Sequence, residues 1–148
     1  MYRKFLIMLL CSFIIMYGVM FFNVDEANHI HLSITRTYMT LLMVAPMAIM
    51  MIVMMGKMYP HKRLNGVIII VSIVVFLGAL AGLRNQMPIG DRQYMKAMIP
   101  HHSSAILTST HANIQDPEVK KLAEQIIKAQ KEEIAQMENM LERLEKNR

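Results

Sequence analysis

Met95 and Met98 stand three residues apart, and Pro100 separates them from the adjacent imidazoles of His101 and His102. Two soft sulfurs and two ring nitrogen donors thus fall within eight residues. Thioether sulfur is an uncharged, soft ligand. It suits Cu(I) and, by the same softness, Ag(I), and it is a poor partner for Mg²⁺ or Ca²⁺. Imidazole suits Cu(I), Cu(II) and Zn²⁺. The chain has no H-E-x-x-H and no Cys/His quartet, so the pattern does not fit a zinc hydrolase. Methionines at helical spacing also act as core filler, and a histidine pair also caps helices or lies on a surface. Spacing alone leaves both readings open.

The element that must position these groups begins near Asp91, where the pattern turns helical and amphipathic. Met95, Met98, His102, Ile106 and Ser109 fall on one face, with His101 beside it. Pro100 lacks an N–H and is expected to kink or restart this helix. Asp116 and Pro117 then form a cap and a first helical residue. A second helix follows, with Val119, Leu122, Ile126, Ile134, Met137, Leu141 and Leu144 as its apolar stripe. Gln130 lies within that stripe and Glu133 beside it. The remainder is alternating Lys and Glu, a solvated face. Two helices of this size cannot enclose a core alone. The hairpin is expected to pack on a second copy, giving a four-helix bundle, or on the ends of other helices.

Those other helices occupy the first half. The chain has 148 residues, 54% of them apolar, with 17 methionines and no tryptophan. Three apolar runs, 5–22, 39–57 and 67–83, are each long enough to approach or cross a ~30 Å hydrocarbon core. Pro46 is expected to kink the second. Arg3 and Lys4 precede the first run, and no small-residue cleavage site follows it, which indicates an uncleaved anchor. Lys57, Lys62 and Arg63 lie between the second and third runs, whereas the loop between the first two carries Asp25, Glu26 and only Arg36. The positive-inside rule then puts the N-terminus in the cytoplasm and everything after Leu83 outside. The net charge of +5 sits in short clusters beside the spans, and no basic stripe with interleaved aromatics suggests nucleic acid. The single cysteine, Cys11, lies in the first run and excludes an intrachain disulfide.

Two further methionine patterns stand out. Met39, Met43, Met47, Met50, Met54 and Met58 advance by three or four residues, which makes one stripe along the second span. It reads either as a thioether path for Cu(I) or as a flexible apolar seam. In the loop before it, His29 and His31 come close in sequence to Met20 and Met39. These four are a second candidate metal site, and a solvated loop is the alternative.

The segments "DRQYMKAMIPHHSSAI" and "DPEVKKLAEQIIKAQKEEIAQMENML" resemble family 305 of the domains of unknown function, a ferritin-like helical family that includes CopM-type copper-binding proteins. The pattern falls on Asp91, Tyr94, Met95, Met98, Ile99, His101, His102, Ala105 and Ile106, then on Gln130, Glu133, Ile134 and Met137. The resemblance implies binding of copper or silver outside the cytoplasm. The implied ligands are Met95, Met98, His101, His102 and Met137, with Gln130 and Glu133 behind them. Many members carry another Met after Ala-Ile, where this chain has Thr108, one sulfur fewer.

The expected fold is therefore all-α. Residues 1–86 form a three-span membrane domain, and 87–148 an extracytoplasmic ferritin-like hairpin completed by dimerisation. The expected function is non-enzymatic: membrane-anchored capture of Cu(I) or Ag(I) for copper homeostasis or resistance. The expected location is the inner (cytoplasmic) membrane of a bacterium, with the C-terminal domain periplasmic or extracellular. The expected partners are the lipid bilayer, further copies of the chain and a protein that exchanges metal with it. The alternatives are a structural or assembly module, or a small metal transporter using the methionine stripe. A di-iron enzyme is disfavoured, because a ferritin-like di-iron site needs several Glu and Glu-x-x-His pairs, and the chain has a single Glu-x-x-His, Glu26 to His29, outside the hairpin.

Overall fold

The computed structural model describes residues 1–146. The described chain is all-α: α1 is Tyr2–Val19, α2 Ile34–Met54, α3 Lys62–Asn85, α4 Asp91–His111 and α5 Pro117–Lys146. Short 3₁₀ turns cover Ala27–His29 and Gly56–Met58, and no strand occurs among the described residues. The chain divides into two compact units. One holds Met1–Met20 and Thr35–Pro88, the other Phe21–Ile34 and Ile89–Arg148. A division at residue 86 leaves the loop of Phe21–Ile34 with the spans, whereas its contacts group it with the hairpin.

In the first unit, α1, α2 and α3 are each long and apolar enough to cross a membrane. Each starts earlier than the apolar runs suggest, because Tyr2, Ile34 and Lys62 extend the helical turns into polar flanks. Pro46 lies inside α2. Phe5, Ala48, Ile52 and Tyr59 form the buried centre, with Tyr2, Leu9, Met51, Ile68 and Ile69 around it. The Tyr2 hydroxyl donates to Asn65 Oδ1 at 2.8 Å, and Asn65 Nδ2 donates to the Tyr59 carbonyl at 2.9 Å. This ties the start of α1 to the α2–α3 connection. Elsewhere in the unit, the Tyr38 ring lies so close over Gly82 that a Cβ there would stand 2.6 Å from Cζ. The Tyr38 hydroxyl donates to the Met87 carbonyl. Most other apolar side chains of these helices, among them Leu6, Leu10, Ile14, Ile70 and Val74, point outward. Apolar surface of that extent suits lipid rather than water.

The methionine stripe of α2 is shorter than its spacing indicates. The helix ends at Met54, and Met58 lies in the following 3₁₀ turn. Met39, Met43, Met50 and Met54 are exposed, and only Met47 is half-buried. The stripe therefore lies on the outside of its unit.

In the second unit, α4 and α5 form an antiparallel hairpin. Ile99, Ile106, Ile134 and Leu141 are its core, with Ile127 and Met137 packed against them. Asp116 caps α5 as its side chain suggests: Oδ1 accepts from the Glu118 and Val119 backbone N–H groups at 2.9 and 3.0 Å. At the other end Arg92 Nη2 donates to the Leu144 carbonyl at 2.9 Å, and Lys96 pairs with Glu145 at 3.2 Å.

Two face assignments need correction. The buried face of α4 is Met95, Ile99, Ser103 and Ile106, a line rotated from Met95, Met98, His102, Ile106 and Ser109. The core selects the 4-and-3 spacing of Ile99, Ser103 and Ile106, and this leaves Met98 and His102 at its edge. On α5 the inward residues are Ala123, Ile134 and Leu141, with Ile127 and Met137. Val119, Leu122 and Ile126 are exposed. The single apolar stripe thus splits into an inward row and an outward patch.

Candidate metal centre

α4 runs unbroken through Pro100. Proline removes only the N–H that would bond the Lys96 carbonyl, so the helix neither restarts nor ends there. Met95, Met98, His101 and His102 therefore sit on two successive turns of one helix. At about 100° per residue they spread over an arc and do not share a single line. Met95 is buried, at 7% exposure. Met98 and His102 are half-buried, and His101 faces outward.

His102 is the best-anchored of the four. Its Nδ1 lies 2.9 Å from the Met98 carbonyl, one turn back. A carbonyl can only accept, so Nδ1 carries a proton and donates it. This hydrogen bond fixes the ring and leaves Nε2 as the nitrogen available for outside chemistry. Nε2 lies 2.7 Å from Glu133 Oε2, contributed by α5. The His101 and His102 rings are 6.0 Å apart, edge to face. The structure thus brings His102, the Met98 backbone and Glu133 together. Met137 packs against the isoleucine core instead, and Gln130 is half-buried on the inward row of α5. Thr108 Oγ1 donates back to the Ser104 and Ala105 carbonyls at 3.0 and 3.2 Å, a helix-internal role.

The second candidate set divides between the units. Met20 and Met39 belong to the first unit, where the Met20 carbonyl accepts from Arg36 and its sulfur from Thr40 Oγ1 at 3.9 Å. His29 and His31 belong to the second. The loop that carries them is not simply solvated. His29 is 6% exposed, and its Nδ1 lies 2.8 Å from Ser103 Oγ. Ser103 Oγ also accepts from the Asp25 N–H at 2.7 Å. His29 Nε2 lies 3.9 Å from Glu138 Oε1, an ion-pair distance rather than a hydrogen bond. Serine, histidine and glutamate have the residue types of a nucleophilic triad, but Ser103 is fully buried and no substrate reaches its oxygen. His31 is half-buried; burial, and then the nearby Lys96 charge, hold its pKa below 6.5.

Asn23 Nδ2 donates to Ser104 Oγ at 2.8 Å, and the Ile34 N–H donates to Gln93 Oε1 at 3.0 Å. These contacts pin the loop along α4. Ser103, Asp25, Gln93 and Glu138 are neighbours of the α4–loop contact that ligand spacing does not reveal. The available signal was Ser103 itself, a hydroxyl placed between Ile99 and Ile106 on an otherwise apolar line.

Among the described residues no three His, Cys, Asp or Glu side chains stand close enough to hold a metal ion together. A hard or intermediate divalent cation that needs such a set finds none in this arrangement. The other donors on α4 are the thioethers of Met95 and Met98 and the imidazoles of His101, His102 and His111.

Residues 79–148 match the family described as a domain of unknown function, DUF305. The chain is 34% identical over 140 residues to the uncharacterized protein L153 of Acanthamoeba polyphaga mimivirus, covering 93% of this chain and 90% of that protein. The likeness therefore runs through the three apolar helices as well as the hairpin. No solved structure matches.

Proposed function

Because the chain carries a DUF305 domain at 79–148, whose start overlaps the last of three apolar helices, we propose that it is a membrane-anchored protein that captures Cu(I) or Ag(I) outside the cytoplasm. In this reading α1, α2 and α3 cross the bilayer with the N-terminus inside, following the Lys and Arg clusters beside them. The hairpin stands outside, and a second copy completes a four-helix bundle. The protein has no catalytic step of its own. It buffers the ion or hands it to another protein.

One observation carries the proposal. His102 donates its Nδ1 proton to the Met98 carbonyl and so leaves Nε2, 2.7 Å from Glu133 Oε2, as the nitrogen that an ion would take. This is the way ligating histidines are commonly held. A nitrogen and a thioether one turn apart on a rigid helix form the start of a site, and His101 and Met95 flank it. The ions in question are soft, so the thioethers decide selectivity.

A structural role without metal has its own supporting observation. Met95 is buried, and Met137 packs on the isoleucine core, as methionines used for packing do. The two readings part on one experiment. Ag(I) is titrated into the full-length chain in detergent, and then into the Met95→Leu, Met98→Leu double variant. Leucine keeps volume and apolarity nearly constant. Capture predicts Ag(I) binding at least about tenfold tighter than Zn²⁺, lost in the double variant while helicity is kept. Equal binding by parent and variant assigns the methionines to packing.

A further inference from the structure

The first unit, Met1–Met20 with Thr35–Pro88, carries seven lysines and arginines and no aspartate or glutamate. Five of the seven, Arg3, Lys4, Lys57, Lys62 and Arg63, belong to the start of α1, the α2–α3 connection and the start of α3. These segments are far apart in the chain and are drawn into one corner. The Tyr2 hydroxyl accepts the His61 N–H at 3.2 Å and donates to Asn65 Oδ1 at 2.8 Å. The Tyr2 ring lies 5.3 Å from that of Tyr59 and 6.0 Å from that of His61, and Phe5 packs edge-on against Tyr59 at 5.6 Å. Arg3 and Lys4 follow directly on one side of this knot, Lys62 and Arg63 on the other, and Lys57 lies two residues before Tyr59. All five are exposed, and among the described residues none is ion-paired. The first turns of α1 and α3 add their free N–H groups to the same corner, with no acidic residue and no side-chain cap.

Charges of one sign held this close repel one another unless an anion lies among them, and the unit supplies none. We propose that this corner binds the phosphate headgroups of anionic phospholipids, in the leaflet on the side of the N-terminus. Such binding rests on the reading that α1, α2 and α3 cross the bilayer, and not on the metal. Orientation during insertion needs basic residues in each flank separately; it does not need the flanks to meet. The hydrogen bonds from Tyr2 to Asn65 and from Asn65 to Tyr59 make them meet. Basic groups gathered between spans at one membrane face are a favourable seat for a lipid phosphodiester. A lipid fits better than a free anion, because the adjoining turns expose apolar side chains. Leu6 and Ile7 on α1 are 62 and 51% exposed, and Leu64 and Val67 on α3 are 40 and 55% exposed. A phosphate among the charges can therefore keep its acyl chains along the same helices. Tyr2, half-buried beside the charges, suits the headgroup level, where tyrosines gather.

The test reconstitutes the full-length chain in phosphatidylcholine bilayers with a trace of spin-labelled phosphatidylglycerol or spin-labelled phosphatidylcholine. The motionally restricted fraction of each label gives its relative affinity for the protein surface. Phosphatidylglycerol is expected to be preferred about fivefold. The preference should fall to near one when Arg3→Gln, Lys4→Gln, Lys62→Gln and Arg63→Gln are combined. Arg84→Gln, at the other end of α3, should leave it unchanged. Tyr2→Phe with Asn65→Ala keeps every charge but unties the corner, and should lower the preference at least about twofold. Equal restriction of both labels by the parent chain overturns the proposal, as does a preference that survives loss of the four charges. A preference kept in full by the Tyr2→Phe, Asn65→Ala variant shows that the flanks act singly, and overturns the corner. Displacement of the phosphatidylglycerol label by inorganic phosphate, at an ionic strength matched with chloride, identifies a bare-anion site and overturns the lipid. On the unmodified chain, an about tenfold rise in sodium chloride should reduce the preference severalfold; a salt-independent preference overturns the proposal without recourse to variants. No restricted component from either label means that the helices do not face lipid, and removes the spanning reading together with this one.

Discussion

His102 Nε2 and Glu133 Oε2 stand 2.7 Å apart, across the two helices of the hairpin. With Nδ1 already donating to the Met98 carbonyl, the ring meets an acceptor on each side. A cation that takes Nε2 must displace the carboxylate from it. His101 has no such constraint and lies exposed. Its ring can reach an ion only after fixing a rotamer in water. His102→Ala is therefore expected to weaken Ag(I) binding about tenfold or more, and His101→Ala by less. Equal losses, measured by competition titration, would show that pre-positioning by Met98 contributes nothing.

Ser103 holds the loop. Its oxygen accepts the Asp25 N–H and engages His29, and the residue is fully buried. Ser103→Ala leaves that backbone donor and the histidine without their partner. The expected loss is about 1–3 kcal/mol of stability. Ser104→Ala removes only the more exposed contact to Asn23 and should cost under about 1 kcal/mol. Thermal melts of the two variants in detergent give the comparison. A Ser103→Ala melt equal to that of Ser104→Ala would refute the assignment.

Gly82 is needed for its lack of a side chain. An added Cβ would meet two ring carbons and the hydroxyl oxygen of Tyr38 within 3 Å, and that ring is held by its hydroxyl at the Met87 carbonyl. Gly82→Ala should destabilise the first unit by about 1–3 kcal/mol. Combining it with Tyr38→Ala should cost less than the sum of the two single changes, because the clash vanishes. Additive losses in chemical denaturation would contradict the close packing.

His31 supplies a pH dependence. Burial first, and the Lys96 charge second, lower its pKa in the folded protein from 6.5. Well above pH 6.5 the ring is neutral in both states and costs nothing. As pH falls below 6.5 the unfolded chain takes up the proton before the folded one does, so stability declines until the folded pKa is passed. His31→Gln should flatten this acid-side loss between pH 7.5 and 5.5 without changing the melt at pH 7.5. An unchanged slope would exclude His31 as its source.

The parts of this fold that were legible in the sequence are those set by local chemistry. Asp116 followed by Pro117 announced the start of α5, and unbroken apolar runs announced α1, α2 and α3, because a cap and a hydropathic length need no partner to be recognised. The faces of α4 were read less well. Met98 and Ile99 are both apolar and adjacent, so periodicity could not choose between them; the isoleucines of α5 did. On α5, Val119 and Ile134 looked alike in a stripe, and only the path of α4 and its connection decides which is covered. The pairing of His29 with Ser103 joins residues 74 positions apart, and no local spacing encodes such a contact. Of the candidate site, the helix and the donor types were readable, whereas the link from His102 to Glu133 required the hairpin.

The clamp of Phe21–Ile34 on α4 makes the unit that holds the hairpin discontinuous along the chain. A segment that starts at Met87 is not that unit with its anchor cut away. It lacks the Asp25 N–H and the His29 ring that cover Ser103, and so begins with a gap in its own wall. Portability follows the same logic. Grafting the hairpin onto another anchor would carry over only one side of this clamp unless residues 21–34 travel with it. During synthesis the loop is made 59 to 81 residues before its partners on α4, and must wait for the third apolar helix to pass before it can be used.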